Sequence, residues 1–294
     1  MGGDGSASDA ARELRSIGRA LAAHLSRRAY HGLERVALAS ATPAVSGAVS
    51  PVGVLEPAPR TSAPVRATAP TDDVNIGTNA PQDPFAVAAP PGADAQRERA
   101  RACATLDELR SAVAGCTACR LATTRTQTVF SDGPARARVM FIGEAPGQHE
   151  DEQGVPFVGL AGQLLTDIIQ KGMGLARREV HIANVLKCRP PGNRDPEADE
   201  KALCTPFLDR QIELVDPEIL VTLGLHATRH VLRSTLSMAR LRGQVHRWNG
   251  RKVVATYHPA FLLRNPAMKK DCWQDIQLAM RELGIAPPAR PGQP

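Results

Sequence analysis

The stretch that most limits what this chain can fold into runs from Arg138 to Met173. Arg138-Val139-Met140-Phe141-Ile142 is a short apolar run, Leu160 to Met173 has helical periodicity, and between them lies a glycine- and acid-rich segment, Gly143 to Gly159. A buried strand, a loop and a helix in that order predict one unit of a parallel sheet. In such sheets the crevice outside the carboxyl ends of the strands takes the ligand, because loops from several strands converge there. Gly143, Ala145 and Gly147 leave room for backbone N–H groups to approach a ligand, and Pro146 stiffens the turn.

Three further apolar runs extend the pattern, Val180 to Leu186, Glu218 to Leu223 and Lys252 to Tyr257. Helical periodicity over Glu197 to Val215, Leu225 to Arg233 and Ala267 to Leu283 alternates with them, and Arg242 to Gly250 reads as a hairpin before the last strand. The expected fold class is therefore α/β, with helices on both faces of a four-stranded, mainly parallel sheet.

Composition matters at the amino end. Apolar residues recur at helical spacing from Ser8 to about Leu38 with arginines interleaved, which predicts a basic amphipathic helical segment over 1–38. From Ala39 to about residue 100 the chain is dominated by Ala, Pro, Ser, Thr and Val, a composition that predicts a disordered linker. The main folded domain is expected over 101–286. A formal net charge of +6 suits an anionic partner. No apolar run reaches bilayer-spanning length and no signal-peptide pattern opens the chain, so a cytoplasmic protein without a membrane partner is expected.

Several residues stand out by type and place. Asn184 is a lone amide in an apolar strand, which requires hydrogen-bond partners. His258 follows Val253 to Tyr257 at a strand's carboxyl end, and Phe157 follows Pro156, which can hold its ring rigidly for stacking or in the core. Leu262-Leu263-Arg264 places bulky apolar groups ahead of Asn265-Pro266, as a surface wedge or as core. Cys116 and Cys119 form a C-x2-C pair and Cys188 and Cys204 follow far downstream; four thiolates suit zinc or an iron–sulfur cluster equally on chemistry alone. Cys103 and Cys272 lie outside that set.

The loop from Gly143 to Gly159, the stretch Asn184 to Arg194 and the stretch His258 to Pro266, in that order with the four cysteines, resemble the family 4, iron–sulfur, uracil-DNA glycosylases over roughly Leu106 to Leu283. The resemblance implies the three-layer αβα fold of that superfamily and a [4Fe-4S] cluster on Cys116, Cys119, Cys188 and Cys204. It implies hydrolysis of the bond between uracil and deoxyribose in DNA, leaving an abasic site. Phe157 would stack on the base, with Gly143, Glu144 and Ala145 beside it. Asn184 would pair with O4 and N3–H, and His258 would stabilise the departing uracil anion. Relatives carry Asp or Asn where this chain has Ala145, so Glu144 and Asn193 become the candidates for positioning water. Glu150 and Asp151 are candidates for a wall excluding the thymine methyl. Arg189, Arg194 and Arg264 would meet phosphates, and Leu262 and Leu263 would wedge into the base stack.

No lysine is placed as a Schiff-base nucleophile, so a monofunctional enzyme is expected, acting as a monomer on single- or double-stranded DNA. The competing readings are a uracil-DNA binding protein and an iron–sulfur regulatory protein without turnover. The basic insertion that the binding branch would need is absent between Asn193 and Cys204. The amino-terminal helix would be free to engage an unknown protein partner.

Overall fold

The computed structural model describes residues 89–288. The expected helical segment 1–38 and residues 39–88 of the expected linker lie outside them. Four parallel strands form the centre: β2 (Val139–Gly143), β3 (His181–Asn184), β4 (Ile219–Leu223) and β6 (Arg251–Thr256). The first three are buried along their whole length, the pattern of strands covered on both faces. The sheet has six strands, not four. β1 (Ser131–Asp132) and β5 (Val245–Trp248) add antiparallel edges, giving the order β1-β3-β2-β4-β6-β5. β1 spans two residues, too few for a periodic signal. β5 and β6 form the expected hairpin, turning at Asn249 and Gly250, whose φ values of 45° and 79° suit a tight type I′ turn.

Side-chain alternation divides the core. Phe141, Ile182, Val221 and Val254 face a layer made by α4 (Leu160–Asp167), α8 (Pro259–Arg264) and α9 (Lys269–Glu282). Met140, Ile142, Leu220 and Val253 face α5 (Ala198–Val215) and α6 (Leu225–Leu232) on the other side. The α4 helix gives way to a π-turn over Ile168–Gly172, where the expected helix reached Met173. Among the described residues no helix is long and apolar enough to cross a membrane.

The expected start of the domain at residue 101 is too late. Helix α1 (Ala93–Ala102) begins inside the expected linker, buries Ala93 and Ala100, and with α2 (Leu106–Ala114) forms a small core against Phe207 of α5. Its buried residues are alanines amid charged neighbours, so its composition resembles the linker before it.

The chain leaves β2, pairs β3 on one side, then crosses to place β4 on the other, so the order reverses at β2. The loops after β2, β3, β4 and β6 therefore gather at one end of the sheet.

Candidate active site

At that end lies an open cleft of about 540 Å³, lined from four strand ends by Glu144, Asn184, Gly224 and His258, among others. Parallel register sets Gly143 directly beside Asn184. A Cβ on Gly143 would stand 2.3 Å from Asn184 Oδ1 and 2.5 Å from Phe157 Cζ, so only glycine lets the amide and the ring close over the strand end. Phe157 has φ 55°, a left-handed conformation that costs a bulky residue about 1–3 kcal/mol. Two features hold it there. Gly162 of α4 lets the helix approach so closely that a Cβ would meet Phe157 O at 1.9 Å. The Glu150 carboxylate, on the short helix α3 (Gln148–Gln153), accepts from Val158 N at 2.9 Å, Gly159 N at 3.0 Å and Gly147 N at 3.1 Å.

That geometry changes the reading of both loop acids. Glu150 lines the cleft, but its oxygens are committed to three backbone N–H groups, making it a brace for Phe157. Asp151 is no wall residue: it is buried and accepts from Thr126 N at 3.1 and 3.0 Å. One residue further along a helix points elsewhere, and Asp151 ties α3 to the chain ahead of β1.

Asn184 is only 2% exposed, and its Oδ1 has no hydrogen-bond partner in the protein. A buried acceptor left bare costs about 1–3 kcal/mol, which a ligand N–H at this position would recover. His258 is the N-cap of α8; its Nδ1 accepts from Ala260 N at 3.2 Å, so the proton of the neutral ring sits on Nε2. Burial lowers its pKa to about 4, with Arg264 adding to the effect and Glu150 opposing it. A neutral donor therefore faces the cleft at physiological pH, its ring 5.6 Å from that of Phe157. The strand end beneath it is fixed by Thr256 Oγ1, which donates to buried Asp275 at 2.8 Å, while Arg242 pairs with the same carboxylate.

Glu144 and Ala145 form the next wall, and Asn193 also lines the cleft. Burial raises the Glu144 pKa; Asp195 adds to this, while His226 and Lys201 oppose it. Glu144, Asp195 and His226 each bring one side-chain atom within 4.8 Å of the others. Sequence reasoning missed His226, although Gly224-Leu225-His226 repeats after β4 the strand, glycine and helix pattern of the first loop. Asn193 has φ 56°, and its Oδ1 accepts from Arg189 Nε at 2.8 Å. Arg194 does not reach out to a phosphate. It donates to the fully buried Glu200 at 2.9 and 2.5 Å, because that carboxylate has no water to solvate it.

The wedge is also redrawn. Residues 262–264 belong to helix α8, not to a loop, and helical geometry turns neighbours to different sides: Leu262 is 1% exposed in the core, while Leu263 is 43% exposed. Arg264 is exposed at the cleft. Leu160, at the start of α4, is 71% exposed and was not singled out in the sequence.

A separate small cavity is lined by Cys116, Cys119, Cys188 and Cys204. None of the four is in a disulfide. Cys188 Sγ accepts from Arg125 at 3.2 Å and Cys204 Sγ from Lys187 N at 3.3 Å. Burial pushes the Cys204 thiol up to about 12, and it raises Cys119 and Cys188 as well, so these sulfurs become thiolates only with a cationic centre among them. Four converging sulfurs with N–H donors suit a thiolate-bound metal group, and the residues fit a cluster. Arg120, beside Cys119, pairs with Glu197 and Asp199 at the start of α5, which also carries Cys204, so an ion network braces the cavity from outside. Cys103 and Cys272 are buried elsewhere.

Residues 130–277 match the family model of the uracil DNA glycosylase superfamily. The type-4 uracil-DNA glycosylase of Sulfurisphaera tokodaii is 44% identical over 191 residues, covering 62% of this chain and 86% of that protein. That of Thermotoga maritima is 42% identical over 168 residues, covering 56% and 87%. A type-5 uracil-DNA glycosylase from Pyrobaculum aerophilum is 34% identical over 144 residues, covering 44% and 63%.

Proposed function

The chain belongs to the type-4 uracil-DNA glycosylases of the uracil-DNA glycosylase superfamily, and from that premise we propose how its cleft excises uracil from DNA. The observation that carries the reading is the bare Asn184 Oδ1 beside Phe157 and Gly143. An extruded uracil stacks on Phe157, gives its N3–H to Asn184 Oδ1 and accepts at O4 from the Asn184 amide. Cytosine presents the opposite pattern at both positions. His258 Nε2–H then meets the charge that develops on O2.

Glycosidic cleavage moves the bonding pair from C1′–N1 onto the base, which leaves as an anion held by His258. Water adds to C1′ and gives its proton to Glu144. The raised pKa of Glu144 makes its carboxylate a stronger base than an exposed one. Asn193, whose Oδ1 is held by Arg189, lines the same cleft. Leu263 enters the base stack and Arg264 meets a phosphate, offsetting the cost of extrusion.

Cys116, Cys119, Cys188 and Cys204 would hold a [4Fe-4S] cluster. When bound it supplies an anionic cross-link between the segment carrying Cys116 and Cys119, the chain after β3 and helix α5. The full chain should release free uracil from single- or double-stranded oligonucleotides and contain iron and labile sulfide. Binding without release would favour a uracil-DNA binding protein, and a colourless anaerobic preparation holding stoichiometric zinc would overturn the cluster.

A second expectation concerns the amino-terminal extension. Every residue assigned here lies beyond Gly92, so a chain beginning at residue 89 should excise uracil within about twofold of the full chain. One beginning at Arg101 removes most of α1 and should be less stable, because the pocket for Ala93 and Ala100 is left open. Thermal melts and single-turnover rates of the two truncated chains test the boundary.

A further inference from the structure

Lys187 is 1% exposed and sits between the two sites described above. Its Nζ donates to the backbone carbonyl of Asn184 at 2.7 Å and to Gln211 Oε1, and lies 6.0 Å from the Phe130 ring centroid. Among the described residues no carboxylate comes within ion-pair distance of it. A buried ammonium without a counter-ion costs several kcal/mol, and neutral oxygens recover only part of that. The nearest site for an anion is the cysteine cavity: Lys187 lines it, Cys188 follows it in the chain, and its backbone N–H donates to the Cys204 sulfur at 3.3 Å. Four thiolates around an iron–sulfur core carry net negative charge, which is the missing counter-ion.

The other end of the side chain acts on recognition. Asn184 is the last residue of β3; beyond it Val185 N and Leu186 N still donate to Gly143 O and Glu144 O at 3.0 Å, and the chain then turns toward Cys188. The Lys187 ammonium closes this turn by binding the Asn184 carbonyl. Gln211 of α5, itself anchored on Phe130 O at 3.3 Å, holds the ammonium in line. We propose that Lys187 is a positioning residue, whose ammonium is held by the charge of the thiolate cluster and fixes the backbone of Asn184, so that the cluster supports uracil recognition through this one side chain. This rests on the reading of Asn184 given above.

The test is a double-mutant cycle on the full chain with its cluster, using Lys187→Met, Asn184→Ala and the double variant. Lys187→Met should slow single-turnover uracil excision by about tenfold or more. In the Asn184→Ala background the same change should cost less than about twofold, since Lys187 acts through the missing amide. The cluster's midpoint potential should fall in Lys187→Met, because removing a nearby cation disfavours the added electron. Equal losses in both backgrounds, or an unmoved potential, would overturn the proposal. Wild-type excision by Asn184→Ala would instead sink the recognition reading on which it stands. Lys187→Gln keeps a donor without the charge, so it should shift the potential while sparing more of the rate. Failure of both lysine variants to fold with iron bound would show a plainly structural lysine and reject the positioning role.

Discussion

Asn184→Asp should lower uracil excision by about four decades while leaving the fold intact. The substitution keeps the shape of the side chain and replaces the N–H that meets O4 with an oxygen, so repulsion stands where a hydrogen bond was. Nothing in the protein can take over, because the amide is buried and Gly143 and Phe157 close on it from two sides. The same surroundings raise the pKa of the introduced carboxyl, since burial disfavours its charged form. Its protonated form can give O–H to cytosine N3 and accept from the cytosine amino group. Weak cytosine removal should therefore appear and grow as pH falls from 7.5 to 5.5. His258 adds no inflection over that range, because its pKa lies near 4. His258→Ala should slow uracil excision but leave the preference for uracil over cytosine, as it serves the leaving group and not the edge being read. Single-turnover rates on uracil and cytosine oligonucleotides separate the two roles; near-normal uracil excision by Asn184→Asp would remove Asn184 from recognition.

The parts of this site that could be read in the sequence are those fixed by the backbone. Continuous apolar runs ending in glycine or in one polar residue gave the four parallel strands and placed Gly143, Asn184 and His258 at their carboxyl ends, since register in a parallel sheet follows from burial. What could not be read was the direction of individual side chains on short elements. Glu150 and Asp151 are neighbours, yet one braces the loop under Phe157 and the other is buried against Thr126. Leu262 and Leu263 divide in the same way between core and surface. Arg194 looked like a phosphate ligand because its partner, Glu200, is six residues on and buried only once α5 has packed. Lys187 carried no signal beyond a charge within an apolar run, and its surroundings exist only after β3, α5 and the cysteine cavity have come together.

Gly143→Ala tests whether the cleft depends on an absent side chain. The added methyl would stand 2.3 Å from Asn184 Oδ1 and 2.5 and 2.7 Å from Phe157 Cζ and Cε2, far inside ordinary contact distance. Neither neighbour can yield cheaply. Asn184 is held by strand register and by Lys187 on its carbonyl, and Phe157 by Glu150 and by the close approach of Gly162. Displacing the amide and the ring by about 1 Å should cost at least about two decades in single-turnover excision. Affinity for an oligonucleotide carrying a non-cleavable uridine should fall with the rate, since stacking and edge recognition are lost in the ground state as well as in the transition state. Gly159→Ala is the control: its Cβ would lie 3.2 Å from the ring of His149, an exposed side chain that can swing aside. That variant should stay within about threefold of the parent, since the hydrogen bond from the Gly159 N–H to Glu150 is kept and Glu150 Oε1 would lie 3.6 Å from the added methyl, an ordinary contact. Equal activity of Gly143→Ala and Gly159→Ala would mean that the Phe157 loop opens freely, and that Asn184 and Phe157 do not form a preset slot for the base.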